Sequence, residues 1–258
     1  MSPAGSSPKE RFSDRVDDYV RYRPRYSHEI ITALQHACGL TPRHVIVDVG
    51  CGTGLLAKIF LENGNRVIGV EPNAKMRQAG EQYLSHREEF TMLAGSAEDT
   101  ALPAKSADFV VAGQAFHWFQ VETSRREFAR ILKQGGWVVL IWHDRDMESI
   151  PFLRAYEEFL QKYSIDYSRA AHNKVANYSA LEHFFHPQPM CMIMQATRQT
   201  FDFEGLRGRL LSSSYAPRQG PGAERMLAEL PQLFERFAEN GQVTMEYKTK
   251  IYYGHLEA

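Results

Sequence analysis

The chain has 258 residues, of which 43% are hydrophobic, and its formal net charge at pH 7 is −1. This length is sufficient for one large α/β core with a modest second lobe. A net charge near zero, without a run of five basic residues, argues against a nucleic-acid partner. The apolar run from Trp137 to Trp142 is too short to cross a membrane.

The start of the chain and its cysteines indicate a cytoplasmic protein. Residues Met1–Arg11 lack the apolar segment of a secretory signal, and we expect residues 1–10 to form a disordered tail. Residues 11–258 would then form a single domain. The three cysteines are widely spaced and match neither a disulfide framework nor a metal-binding pattern. They are Cys38, Cys51 and Cys191.

Apolar runs alternate with amphipathic segments over the first 145 residues. This alternation predicts right-handed crossovers and a parallel sheet. The predicted helices are 28–37, 54–63, 73–84 and 121–132, and the predicted strands are 44–49, 66–71, 90–94, 107–112 and 137–142. A turn at Gly135-Gly136 should precede the fifth strand.

The pattern changes after residue 145. An amphipathic helix is predicted at Pro151–Tyr163, and residues 150–189 are interpreted as an inserted lobe over the cleft. Further strands are predicted at 190–201 and 243–253, with helices at 206–211 and 224–237 between them. The domain core would therefore comprise residues 27–145 together with 190–258. The predicted fold is α/β, Rossmann-like and doubly wound, with a mostly parallel seven-stranded sheet and a helical insertion or lid after strand five.

The most informative segment is a glycine-spaced loop after the first strand. Residues 45–54 read as an apolar strand followed by Gly-Cys-Gly-Thr-Gly, and an apolar helix begins directly afterwards. Gly50, Gly52 and Gly54 allow a sharp turn and the close approach of a ligand. The loop ends at a helix N-terminus, where free backbone N–H groups are available.

The glycine spacing favours a nucleoside over a dinucleotide. Leu55 stands where the third glycine of a dinucleotide fingerprint should be, which makes a poor pyrophosphate site. Glu71 follows Gly50 by about twenty residues, at the end of the second strand. A carboxylate there can accept hydrogen bonds from both hydroxyls of a ribose. The alternative for Glu71 is a solvated acid that caps a helix before Pro72.

Several ordered motifs resemble those of class I S-adenosylmethionine-dependent methyltransferases. The resemblance extends to the methyltransferase type 11 subgroup, which includes trans-aconitate methyltransferase-like proteins, and covers roughly residues 10–145. The motifs are Asp48–Gly54, Val70–Pro72, Gly95–Asp99 with Leu102-Pro103, Gln114–Phe119, and the N-terminal Phe12-Ser13 and Tyr22–Tyr26. One departure is Ser96, where many relatives carry an aspartate.

The resemblance implies S-adenosyl-L-methionine as cofactor and a set of residues that hold it. Most of them fall at predicted strand ends, where ligands bind in such sheets, although an ordinary turn remains the alternative at Ala97 and Glu98. The implied cofactor-binding residues are Asp48, Gly50, Cys51, Gly52, Gly54, Glu71, Pro72, Ser96, Ala97, Glu98, Gln114, Tyr22 and Arg25. Cys51 is interpreted as a small packing residue. Arg25 would pair with a carboxylate of the cofactor or substrate, or be an ordinary surface arginine.

Two histidines are candidates for catalysis. His117 follows the fourth strand and could orient the acceptor or take its proton, because imidazole titrates near neutral pH. Its alternative is a hydrogen-bonded wall residue. His143 follows the fifth strand and could also face the acceptor. Ser212–Tyr215 is a weaker candidate for the acceptor pocket. The histidines of the inserted lobe lack a metal-ligand spacing, and no metal is predicted.

These observations predict an enzyme that transfers a methyl group to a small-molecule acceptor, a carboxylate or a hydroxyl, by in-line displacement. Two alternatives stay open. One is a non-catalytic regulatory protein that keeps the cofactor pocket, and the other is a nicotinamide-dependent oxidoreductase, against which Leu55 argues. Methylation of nucleic acid or protein is a minor alternative, because the segment after the fourth strand lacks an Asn-Pro-Pro-Tyr-like motif. The identity of the acceptor and the oligomeric state are not determined by the sequence.

Overall fold

The computed structural model describes residues 22–164, 178–213 and 215–257. The expected tail at residues 1–10, the Phe12-Ser13 motif and much of the predicted inserted lobe lie outside these residues. Strands β1–β7 are Val45–Val49, Arg66–Val70, Phe90–Leu93, Ala107–Gly113, Leu132–Arg145, Cys191–Phe201 and Val243–Gly254. Helices α1–α7 are Glu29–Cys38, Leu55–Glu62, Ala74–Tyr83, Val121–Ile131, Pro151–Tyr163, Phe203–Leu211 and Gly220–Phe237. A 3-10 helix spans Phe116–Trp118, and residues 178–185 are helical.

The strands form one seven-stranded sheet in the order β3-β2-β1-β4-β5-β7-β6. The pairs β1–β2, β1–β4, β2–β3 and β4–β5 are parallel, and the sheet contains one antiparallel hairpin. This confirms the predicted α/β, doubly wound, mostly parallel fold. The strand order reverses between β1 and β4, because β2 and β3 are added on one side of β1 and β4 and β5 on the other. Ligands in such sheets bind beyond the carboxyl ends of the strands at this switch point.

The central strands are buried on both faces, which explains their nearly continuous apolar sequences. Alternate residues point to opposite faces of a strand. In β1, Ile46 belongs to the hydrophobic cluster that also contains helices α1 and α2, whereas Val47 and Val49 belong to the cluster that contains α4 and residues 181–185. The same alternation recurs in β4 and β5, so the sheet is the middle layer between two helical layers.

Strand β5 begins earlier than predicted. It starts at Leu132, and the glycine pair that was expected to form a turn lies inside it. Gly135 has a φ of 74°, and the register between β4 and β5 shifts between Ala107 and Phe109. A left-handed glycine allows the strand to bulge and bend without ending.

Two compact units can be distinguished by contacts within the chain. The described residues of 25–142, 175–194 and 250–258 form one unit, which we call the glycine-loop unit. The described residues of 1–24, 143–174 and 195–249 form the other, which we call the α5–α7 unit. Strands β5, β6 and β7 contribute residues to both units. The predicted division into a core and an inserted lobe stays a prediction.

The α5–α7 unit has its own hydrophobic core. Helix α5 presents an apolar stripe at the expected helical spacing, and α6, α7 and the first half of β7 cover it. Its buried side chains include Phe152, Tyr156, Leu206, Leu210, Met226, Leu230 and Tyr247. Within residues 22–164, 178–213 and 215–257, no helix has both the length and the apolar character needed to span a bilayer.

Candidate active site

The glycine loop connects β1 to α2 and is tied to the end of β2. The N–H groups of Gly50 and Cys51 both donate to the carbonyl of Val70, at 2.8 and 3.1 Å. Gly50 and Gly54 have φ angles of 68° and 83°, in the left-handed region that glycine tolerates best. A Cβ on Gly50 would lie only 2.6 Å from the Cβ of Ala115. The loop is therefore both bent and tightly packed.

Glu71 lies directly on this loop. Its side chain is 8% exposed, and Oε2 accepts a hydrogen bond from the Gly52 N–H at 3.0 Å. Oε1 accepts from the Asn73 N–H at 2.9 Å. An ionised carboxylate has about four acceptor positions, so one carboxylate can accept from both backbone N–H groups and ligand hydroxyls. The geometry differs from that of a solvated capping acid, which was the alternative considered for this residue.

Two neighbours of Glu71 hold the turn that presents it, and the sequence analysis did not identify them. Arg77 donates from Nη1 to the carbonyl oxygens of Glu71 at 2.9 Å and Pro72 at 2.8 Å. The Asn73 side chain caps helix α3 by accepting from the N–H groups of Lys75 and Met76. An asparagine directly after Glu-Pro, at the start of a helical pattern, is the signal that could have revealed the cap.

Asp48 is buried beneath the loop, with 1% of its surface exposed. Burial raises the pKa of its carboxyl to about 7, and the negative charge of Glu71 adds to this increase. The nearby Cys51 thiol and Ala57 N–H oppose the increase, although neither carboxyl oxygen of Asp48 has a hydrogen-bond partner within geometric limits among the described residues. Two acidic groups thus lie at one loop, and Asp48 is the one that burial keeps protonated up to a pKa of about 7. The same environment raises the pKa of the Cys51 thiol, which agrees with a packing role rather than a reactive one.

The replacement Asp48→Asn is expected to stabilise the ligand-free protein more at about pH 8 than at about pH 5. In the native state Asp48 stays protonated up to a pKa of about 7, whereas the unfolded carboxyl ionises near its ordinary value of 3.8. The native state therefore binds more protons in this window, and the free energy of unfolding falls as pH rises through it. The asparagine variant has no carboxyl at this position, so its free energy of unfolding does not fall in this way as the pH rises. Denaturant unfolding at the two pH values measures the difference.

Asp108→Asn provides a control of opposite sign. Asp108 accepts hydrogen bonds from Lys133 Nζ and the Val45 N–H, both at 2.8 Å, and these lower its pKa. Its ionised form contributes stability above the unfolded pKa, so its removal should destabilise the protein at neutral pH. Equal pH dependence in the two variants would contradict the assignment of Asp48.

The segment after β3 forms a tight turn. The Ser96 N–H donates to the carbonyl of Asp99 at 2.8 Å, and the Ser96 hydroxyl accepts from the Glu98 N–H at 3.3 Å. Ala97 is buried. Glu98 Oε1 accepts from the Gln120 N–H at 2.8 Å, directly before helix α4. Glu98 therefore joins the turn to the start of α4, a function that the sequence analysis did not assign to it.

The segment after β4 has a strained backbone at its first residue. Gln114 has a φ of 56°, which is uncommon for a residue other than glycine and is characteristic of functional sites. The segment is anchored by Phe116, whose ring packs edge-on against Trp142 and Phe184. His117 is only partly buried, and its ring lies 4.6 Å from that of Trp118. The histidine is thus held at a strand end by buried neighbours.

The N-terminal segment is divided between the two units, with the boundary after Pro24. Arg25 is exposed, as an ordinary surface arginine would be, whereas the Tyr26 hydroxyl packs against Gly113 at the end of β4. A side chain on Gly113 would displace Tyr26 and also approach Leu56. Tyr26 is a site neighbour that the sequence analysis did not name, although the glycine at the end of β4 was a possible signal for it.

Tyr22 and His143 belong to the α5–α7 unit. The Tyr22 ring packs against Gly208 of helix α6. His143 forms a hydrogen bond from Nδ1 to the Thr249 hydroxyl at 2.8 Å. Burial lowers the pKa of His143 to about 4, and the positive charge of Arg209 adds to this decrease. The imidazole is therefore neutral at physiological pH. The other predicted cofactor-binding and catalytic residues lie in the glycine-loop unit.

The described part of the chain contains neither a metal-binding cluster nor a disulfide. Groups of three or more His, Cys, Asp or Glu side chains that could hold a metal ion are absent from residues 22–164, 178–213 and 215–257. His183 pairs with Glu122 instead. All three cysteines are free thiols. The prediction that the protein uses no metal stays a prediction.

The fold and this loop geometry define the class of protein. The methyltransferase domain family matches residues 47–140. An uncharacterized methyltransferase of Mycobacterium tuberculosis is 33% identical over 149 residues, which make up 58% of this chain and 58% of that protein. An uncharacterized methyltransferase of Geobacillus sp. (strain WCH70) is 32% identical over an alignment of 162 residues that covers 58% of this chain and 71% of that protein. The chain thus spans less than two thirds of the length of the Mycobacterium relative.

Solved structures agree on the fold. A protein from Anaeromyxobacter dehalogenans, described as a candidate type II methyltransferase, has a TM-score of 0.68 at 20% identity, covering 92% of this chain and 100% of that one. A candidate methyltransferase of an antibiotic biosynthesis pathway from Anabaena variabilis has a TM-score of 0.56 at 21% identity, covering 92% and 99%. The chain belongs to the class I S-adenosylmethionine-dependent methyltransferases, and its cofactor is S-adenosylmethionine.

The residues of the glycine-loop unit fit this cofactor. The backbone at Gly50 and Gly54 leaves no room for a Cβ, as expected where a loop bends sharply. The Glu71 carboxylate lies on the loop, and the buried acid Asp48 lies beneath it. The negative charge of Glu71 suits a ligand that carries a sulfonium and an ammonium group. Membership of this family removes the nicotinamide-dependent alternative.

Proposed function

We propose that the chain transfers the methyl group of S-adenosylmethionine to a small-molecule acceptor, through a carboxylate or hydroxyl oxygen. The observation that carries this proposal is the hydrogen bond from the Gly52 N–H to Glu71 Oε2. It joins the two elements that a nucleoside ligand needs, a glycine loop and an acid for the ribose. The net charge of −1 supports a small acceptor rather than a nucleic acid.

The roles proposed for the site residues follow from their positions. Glu71 binds the ribose, the turn at residues 96–98 borders the adenine, and the glycine loop approaches the methionine end. When bound, the cofactor supplies an already activated methyl group, so the protein has mainly to align the acceptor and exclude water. His117 is proposed to orient the acceptor from the end of β4.

The environment of His143 argues against its use as a general base. With its pKa lowered to about 4, His143 is a weak base at neutral pH. A hydroxyl acceptor needs a base to remove its proton, whereas a carboxylate is already ionised. A role for His143 in hydrogen bonding to the acceptor is therefore proposed in place of proton removal. The resemblance to trans-aconitate methyltransferase-like proteins supports a carboxylate acceptor.

Release of S-adenosylhomocysteine from S-adenosylmethionine tests the proposal. The purified chain is incubated with a panel of mono-, di- and tricarboxylic acids and with matched alcohols. We expect turnover with at least one acid, and a product that mild alkali hydrolyses, because a methyl ester is alkali-labile and a methyl ether is not. The rate should be independent of pH above the pKa of the acid. His143→Gln should then lower the rate without creating a new pH dependence.

The outcomes separate the alternatives. An alkali-stable product would contradict the carboxylate acceptor and support a hydroxyl. Cofactor binding without turnover on any member of the panel would favour the non-catalytic regulatory protein. The Glu71→Ala variant serves as the background control in every assay.

A further inference from the structure

Helix α6 carries a buried arginine without an acidic partner. Arg209 is 5% exposed, and its Nη1 donates to the Ser213 hydroxyl at 3.0 Å. Within residues 22–164, 178–213 and 215–257, its Nε has no hydrogen-bond partner and no carboxylate lies within ion-pair distance of its guanidinium. A buried charge without a partner is strongly unfavourable, so such a group is rare unless it has a binding role.

A second guanidinium lies near the first. Arg145, at the end of β5, is close enough for its positive charge to oppose that of Arg209. Arg145 pairs with Glu157 of helix α5, with Nη2 3.0 Å from Oε2. Among the residues that the structure describes, Glu157 is the one carboxylate that forms an ion pair with either of these two arginines.

Three tyrosines complete the group, which we call the Arg–Tyr cluster (Arg145, Tyr156, Arg209, Tyr215 and Tyr247). The Tyr156 hydroxyl is buried and has no hydrogen-bond partner among the described residues. The Tyr215 hydroxyl accepts from Arg145 Nη1 at 3.3 Å. The two guanidiniums lower the pKa of Tyr215 to about 7, although burial acts in the opposite direction. The cluster thus favours a negative charge even on a phenol.

We propose that the Arg–Tyr cluster binds the carboxylate group of a small organic acid, with Arg209 and the Tyr156 hydroxyl as its principal hydrogen-bond donors. The identification of this acid as the methyl acceptor rests on the proposed function, whereas the binding itself does not. A guanidinium suits a carboxylate because it can donate two parallel hydrogen bonds.

The surroundings indicate a small ligand rather than a macromolecule. Tyr156 and Tyr247 belong to the apolar core of the α5–α7 unit, together with Leu206 and Leu210 of helix α6. A cluster buried in this way suits a compact organic anion better than a phosphate backbone or an acidic protein surface. The apolar neighbours would contact the carbon skeleton of the acid.

Calorimetric titration of the full chain with tricarballylate and with succinate tests the proposal, and succinamide serves as the uncharged control. We expect both acids to bind and the amide not to bind. Arg209→Gln should weaken the binding about tenfold or more, because it removes charge-assisted hydrogen bonds. Arg209→Lys keeps the charge and should restore part of the affinity. Arg207→Gln, on the same helix but exposed and paired with Glu204, should bind like the wild type.

Three further measurements keep the test decisive. Arg209→Gln should retain or raise the melting temperature without ligand, because it removes a buried charge that has no acidic partner among the described residues. If this variant does not fold, Tyr156→Phe is used in its place. Bound acid should raise the pKa of Tyr215, and the phenolate absorbance in the ultraviolet should fall, except in Tyr215→Phe. Titration with S-adenosylhomocysteine reports the donor site separately. No binding of either acid, or equal binding by Arg209→Gln, would overturn the proposal.

Discussion

Replacement of Glu71 by alanine is expected to weaken the binding of S-adenosylmethionine by about a hundredfold or more. Each hydrogen bond to a charged group contributes roughly 1.5–3 kcal/mol, and the ribose would form two of them with this carboxylate. The variant also removes the acceptor of the Gly52 N–H, which in the native protein donates to Oε2 at 3.0 Å, so the loop loses one of its ties to the end of β2. Calorimetric titration of the purified variant measures the effect.

Two controls separate the charge of Glu71 from its position. Glu71→Gln keeps the volume and one acceptor but places an amide donor against a backbone N–H, and it should bind almost as weakly as the alanine variant. Glu81→Ala removes an exposed acid of helix α3 and should bind like the wild type. Unchanged affinity in Glu71→Ala, with the fold intact by circular dichroism, would remove the basis of the proposed ribose contact.

The second large effect is expected for Gly50→Ala. Gly50 has a φ of 68°, and an alanine there costs about 1–2 kcal/mol for the left-handed backbone alone. Its Cβ would also lie 2.6 Å from the Cβ of Ala115, so the loop or the segment after β4 must move. We expect a lower free energy of unfolding and cofactor affinity reduced by at least about tenfold, since loop position and binding are coupled.

Gly39→Ala is a control that separates the steric displacement of the loop from the cost of the left-handed backbone. Gly39 has a φ of 63°, almost the same as Gly50, but a Cβ there meets no atom within 4 Å. It should therefore show the backbone cost without the displacement, and cofactor binding should be unchanged. Denaturant unfolding and calorimetry of both variants give the comparison. Equal behaviour of the two would mean that packing of the loop against Ala115 is unimportant.

Much of the sheet could be predicted because its signals are local. The predicted limits of β1 and β4 agree with the structure to within one residue. A strand buried on both faces needs a continuous apolar sequence, which makes its ends easy to recognise. Strand β5 was more difficult, because Gly135 usually signals a turn and only the pairing with β4 decides that it forms a bulge.

The candidate site was predictable to the extent that it lies in motifs. The glycine spacing and the acid at the end of β2 were apparent from the sequence, and the structure brings Glu71 onto the loop. Arg77 and Tyr26 were not identified, because their contacts depend on the path of the chain. Arg77 reaches two carbonyl oxygens across a turn, and Tyr26 reaches the end of a strand 87 positions further along the chain.

The sequence by itself determined the fold class, the glycine loop and the acid that follows it, because these depend on backbone conformation and on hydrophobic periodicity within short segments. Only the tertiary structure decided which charged side chains are buried together. Arg145 and Arg209 come from a strand end and a helix 64 residues apart, and each alone resembles an ordinary surface arginine in the sequence. Burial is a property of packing between distant segments, so the proximity of the two guanidiniums in the Arg–Tyr cluster becomes apparent only once the chain is folded.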